Sequence, residues 1–116
     1  MRALLLALTL LTLATAQANA GEQTGTVRID HGQFGSSATS AGLMFFVLQG
    51  GTKTGKPSCN TYIDRWVINN AWPAAKIQTA VLLAAITSGK TVTVRGSNDC
   101  TQWLDSETAI DIQLNN

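Results

Sequence analysis

Residues 73–95 read PAAKIQTAVLLAAITSGKTVTVR. Proline suits the first helical turn, where its missing N–H has no partner to lose, and residues 74–88 are mostly good helix formers. Gly89 provides a left-handed stop, with Lys90 near the carbonyl end. Directly behind it, residues 91–95 alternate, placing Val92 and Val94 inward. The segment therefore predicts a helix feeding a strand. The helix is apolar round most of its circumference: Ile77, Ala80, Val81, Leu82, Leu83, Ala84, Ala85 and Ile86 leave only Lys76, Gln78, Thr79, Thr87 and Ser88 polar. A surface helix shows a single apolar stripe, so this pattern predicts a helix covered from two sides.

Further strands lie outward in both directions. Residues 62–69 alternate, with Tyr62, Asp64, Trp66 and Ile68 on one face and Ile63, Arg65, Val67 and Asn69 on the other. Residues 43–48, LMFFVL, are apolar without a break, as in a strand covered on both faces. Residues 26–30 alternate again, with Val27 and Ile29 inward. At the far end, 108–114 set Ile110, Ile112 and Leu114 against Asp111 and Gln113. The intervening segments 32–42, 50–58 and 97–99 carry glycine, serine, asparagine and proline and read as loops, and Phe34 is the one large anchor in the first. Residues 21–25 are polar and expected to be mobile.

The order is β-β-β-α-β-β. This is the order of the OB-fold, a five-stranded Greek-key β-barrel plugged by one helix; other small α+β folds share it. The fold class is therefore mainly β, in a single domain spanning 21–116, with no repeat and no linker.

Residues 1–20 have the three parts of a cleaved export signal: Arg2, an apolar run from Ala3 to Ala14, and the small-x-small triplet Ala18-Asn19-Ala20. The run is too short for the ~20 residues of a spanning helix, so no membrane span is expected, and the protein should reach the periplasm or the extracellular space. The chain has two cysteines, Cys59 and Cys100. In an exported chain they are expected to form a disulfide, and closing a loop of that length contributes about 4 kcal/mol on the chain-entropy account. The bond would fix the helix between two tethered ends.

Charged residues make up 13% of the chain and the net charge is +1. A surface so poor in Lys and Arg has little attraction for phosphate backbones, which argues against nucleic-acid binding. No catalytic residue is assigned. His31 is the only histidine and is expected in an exposed, glycine-bounded turn. Asp105 and Glu107 could suggest a hydrolytic carboxylate pair, but read better as a turn into the last strand. The glycines form no phosphate cradle, and the cysteines lack metal-type partners, so no cofactor and no metal are expected. Trp66 and Trp103 are expected in the core. Trp72, in the polar stretch before the helix, is a candidate for stacking on a sugar ring beside Asn69 and Asn70; its alternative is a staple holding the helix entry. The disulfide would bring Asn60 to a second polar corner.

Residues 74–83 (AAKIQTAVLL), 89–94 (GKTVTV) leading to Cys100, and the closing IQLNN resemble the pentameric B subunits of bacterial A–B toxins. More narrowly, they resemble the small secreted proteins that are similar to the B subunits of subtilase cytotoxin. The motif likeness is confined to these segments, and no family sugar pocket carries over position by position. The resemblance implies an OB-fold assembling as a ring, with helices lining its centre, outer faces binding glycans and a catalytic toxin chain as partner. Ile77, Val81, Ala84 and Ala85 are the expected contacts between copies, since so apolar a helix needs a second covering surface. The expected function is thus a secreted, non-enzymatic binding protein; the alternative is a monomeric periplasmic interaction or inhibitor domain.

Overall fold

The computed structural model describes residues 20–34 and 42–116, with backbone alone for 31–34. The expected export signal, apart from Ala20, and most of the expected loop at 32–42 lie outside the described residues, as does the side chain of Phe34. Among the described residues there are five strands and one helix, in the order read from sequence: β1 (Glu22–Phe34), β2 (Leu43–Gln49), β3 (Arg65–Asn69), α1 (Ala75–Ser88), β4 (Val92–Gly96) and β5 (Glu107–Leu114). No described helix is long and apolar enough to cross a membrane.

β1, β2 and β3 form an antiparallel meander. β3 then pairs in parallel with β5, β5 runs antiparallel to β4, and β4 returns to β1. Each strand has two neighbours, so the sheet closes on itself. β1 makes the closure possible by changing partner along its length: residues 22–25 pair with β4 and residues 26–34 with β2. Gly25 sits at the change of partner, where a Cβ would collide with the carbonyl oxygen of Gln49.

Of residues 21–25, expected to be mobile, 22–25 are therefore a built part of the sheet, and Gly21 is hydrogen-bonded beside it. They do alternate inward and outward, but the inward positions are Gly21, Gln23 and Gly25, so no apolar periodicity marks them. His31, expected in a turn, lies within β1 opposite Phe45. β3 begins at Arg65 rather than Tyr62, because the Tyr62 N–H donates to the Asp105 carbonyl (3.0 Å) and Arg65 N–H turns back to the Tyr62 carbonyl (3.1 Å). In β5, Arg95 faces Asp111 while Gly96 faces Ala109, which leaves Ile110 as an extra residue in a bulge. Ile110 is accordingly exposed, and Ala109, Ile112 and Leu114 pack on the core instead.

The core joins Met44, Phe46 and Leu48 of β2, Trp66 and Ile68 of β3, Val92 and Val94 of β4 and Ala109 of β5. α1 adds Ala75, Leu82 and Ala85. Its carbonyl end stops at Gly89 with φ 69°, as the sequence predicts. Only one face of the helix is covered within the chain. Ile77 remains 71% exposed, Leu83 52% and Ile86 43%, so the covering on a second side expected from sequence is not supplied by the chain's own described residues.

Cys59 and Cys100 form the disulfide, with Cα atoms 6.2 Å apart. It joins the segment before β3 to the segment after β4. Leu82 is completely buried, and Leu82→Ala should lower stability by about 2–5 kcal/mol in urea unfolding. Ile77→Ala, measured on dilute protein, should change it by less than about 0.5 kcal/mol. Equal effects of the two would show that α1 does not seal the sheet through the Leu82 face.

Candidate binding site at the β3–α1 corner

The sequence from Asn69 to Pro73 has to end a strand and start a helix within a few residues. The Asn69 side chain does most of this: its Oδ1 accepts from Ala71 N (2.9 Å), a local turn typical of asparagine. Its Nδ2 donates to Gln102 Oε1 (2.8 Å), tying the corner to the segment before β5. Asn70 N donates to the Gly42 carbonyl, Trp72 N to the Asn69 carbonyl and Ala75 N to the Trp72 carbonyl. Ala74 caps the helix without a side-chain hydrogen bond.

Beside this corner lies a cleft of about 400 Å³ lined by Asn70, Ala75, Lys76 and Thr79. The first turns of α1 and the end of β3 thus present an amide, an ammonium and a hydroxyl around an alanine floor. This donor and acceptor set can hydrogen-bond a neutral polyhydroxyl ligand. Trp72, two residues after Asn70, is half-buried and is not among the residues that line the cleft. Of the expected ligand-binding residues, Asn70 lines the cleft, while Asn69 and Trp72 lie in the turn next to it. Asn69 is committed to holding the turn, while the Asn70 side chain makes no hydrogen bond within the described residues.

Asn60 is elsewhere and fully buried. Its Oδ1 accepts from Lys53 Nζ (2.7 Å), and its Nδ2 donates to the carbonyls of Tyr62 (2.9 Å) and Asp105 (3.1 Å). Lys53 Nζ lies 3.5 Å from the centroid of the Trp66 ring and 4.0 Å from Glu107 Oε2, with both charged side chains inaccessible to solvent. Trp66 Nε1 donates to Gln23 Oε1 (2.9 Å), and Gln23 Nε2 donates to Asp64 Oδ1 (2.9 Å). Burial pushes the Lys53 amine down to about 8, against the opposing pull of Glu107 and Asp64. Sequence reading missed this interior polar cluster. Lys53 stands in a glycine- and threonine-rich stretch that has the composition of a solvated loop.

Asp105 and Glu107 do not face one pocket. Glu107 points inward, whereas Asp105 accepts from Arg65 Nη2 (2.6 Å) and Ser106 Oγ (2.9 Å). Burial alone would raise the Asp105 carboxyl, but the hydrogen bonds from Ser106 and Arg65 outweigh it and hold it below the usual carboxylate range. Trp66 is in the core as expected, and Trp103 packs edge-on against Phe45 at 5.3 Å. No cluster of metal-ligating side chains occurs among the described residues.

The expected contacts between copies divide across α1. Ile77 and Ala84 face solvent, Val81 is half-buried against the core and Ala85 belongs to the core itself. The apolar residues of α1 that face outward are Ile77, Ala80, Leu83, Ala84 and Ile86. Comparison with known proteins finds no match among protein families, curated proteins or solved structures.

NMR titration of the lysine side chains should reveal one amine losing its proton near pH 8, well below the ordinary 10.5. Glu107→Gln removes the largest charge holding that proton on, so the midpoint should fall further. A Lys53 midpoint at the ordinary value would mean that the amine reaches water.

Proposed function

We propose that this chain is an exported, non-enzymatic binding protein on an OB-fold barrel, similar to toxin B subunits, which assembles with copies of itself and binds glycans. The strand cycle β1-β2-β3-β5-β4, with its one parallel pair and a helix between β3 and β4, supports the OB reading. The two-step connection of three meander strands followed by a return to β1 supports the Greek-key description. The disulfide is compatible with export.

One observation supports the assembly: α1 leaves Ile77, Leu83 and Ile86 exposed. Leaving large aliphatic side chains in water forgoes roughly 1.5–3 kcal/mol each relative to full burial, and a second copy offers the same apolar surface to cover them. The cleft lined by Asn70, Lys76 and Thr79 supplies hydrogen-bonding groups that sugar hydroxyls take, and Trp72, in the turn next to it, would add the aromatic face.

Light scattering on the exported, disulfide-bonded protein should give a mass of several chains at micromolar concentration, and Ile77→Asp should return it to one. On a glycan array, Trp72→Ala should weaken the strongest signal about tenfold or more. A clean monomer with a blank array would overturn the proposal in favour of a monomeric interaction or inhibitor domain.

A further inference from the structure

Glu107 is a carboxylate with no exposure to solvent. Its Oε1 accepts from Gly21 N (2.9 Å) and Asn98 N (3.1 Å), while its Oε2 accepts no hydrogen bond. The nearest cation, Lys53, stands 4.0 Å from Oε2 and donates its shorter bond to Asn60. A buried carboxylate whose hydrogen bonds come only from neutral amides, with one oxygen accepting none, leaves part of its desolvation cost uncompensated.

Gly21 is also the residue that the small-x-small triplet Ala18-Asn19-Ala20 would leave at the amino terminus after export. The change from solvent to interior falls at the same bond, since Ala20 is exposed and Gly21 is buried. Gly21 is held there from two sides. Its carbonyl accepts from Gly96 N (2.9 Å), and the next residue, Glu22, exchanges backbone hydrogen bonds with Thr54 (2.9 Å each). A Cβ on Gly21 would collide with Glu107 Oε2, and one on Gly96 would collide with the same carboxylate. Glycine alone brings its nitrogen this close.

We propose that cleavage of the Ala20–Gly21 bond during export creates the buried partner of Glu107: the new α-ammonium of Gly21 forms an interior ion pair that locks β1 onto β4. In that step a peptidase of the export machinery adds water across the peptide bond. The C–N bond breaks, Ala20 leaves with a carboxylate, and the Gly21 nitrogen takes up a proton to become an ammonium. A neutral amide with one N–H is thereby replaced by a cation with three donors, beside the oxygen that lacked one. Processing and sheet closure become one event, because residues 22–25, which follow the ammonium, are those that pair with β4.

The inference rests on the export reading of residues 1–20 and is independent of any ligand. The full chain, exported in a bacterial host, should yield protein whose first residue is Gly21 by sequencing. A product starting at Met1 would refute export itself, and one starting elsewhere in the mature region would refute only the ion pair. Retaining Ala20 behind a foreign leader should lower the folding equilibrium constant about tenfold to a hundredfold when residue 107 is Glu. In the Glu107→Gln background it should change the constant by less than about threefold. Equal losses in both backgrounds overturn the proposal. A further measurement needs no variant: acylation of the Gly21 amine at neutral pH should be about a hundredfold slower in the folded protein than in urea. Labelling at the unfolded rate without loss of fold also overturns it.

Discussion

Closure of the sheet depends on β1 serving two partners in succession, and on the space that its glycines leave for it to do so. Residues 22–25 complete the ladder of β4 while residues 26–34 complete that of β2. At the junction the carbonyl of Gln49 occupies the position where a side chain of Gly25 would be. Without that close approach the two ladders could not share one strand, and the edges of β4 and β2 would be left unpaired. Everything inside the sheet, from Trp66 and Phe46 to the Leu82 face of α1, is enclosed because this strand bends.

Closure also determines where charge can be buried. Lys53 and Glu107 come from segments far apart in sequence, and both lie where the start of β1 meets β4, β5 and the loop after β2. Asn60 links the lysine to the backbone of Tyr62 and Asp105, next to the disulfide cysteine Cys59. The disulfide thus supports more than the helix: it holds the loop that presents Asn60 to the lysine. The outer corner at Asn69–Trp72 is built on the opposite principle, with backbone turns and half-buried polar groups rather than fully buried ones.

Much of this was legible in the residues. The element order, the Pro73 start and Gly89 stop of α1, the doubly buried β2 and the Cys59–Cys100 bond all follow from local chemistry and composition. Three features were not. The start of β1 hides its alternation because Gly21, Gln23 and Gly25 take the inward positions. The bulge at Ile110 breaks the two-residue period of β5 and turns an isoleucine outward. The faces of α1 could not be separated, because apolar residues on every side give no contrast, and so Ala85 and Val81 were expected at a surface that belongs to Ile77 and Leu83.

The sequence by itself determined the kinds of element, their order, the two ends of α1 and the covalent link, since each of these depends on residues within a turn or two of one another or, for the link, on there being only two cysteines to join. Only the tertiary structure decided which apolar face of α1 meets the core, that Asn60 is an interior residue, and that Glu107 sits against the nitrogen of Gly21. Those outcomes depend on contacts across the closed sheet between segments separated by most of the chain, and no local pattern of side chains encodes which distant backbone will fill the remaining space.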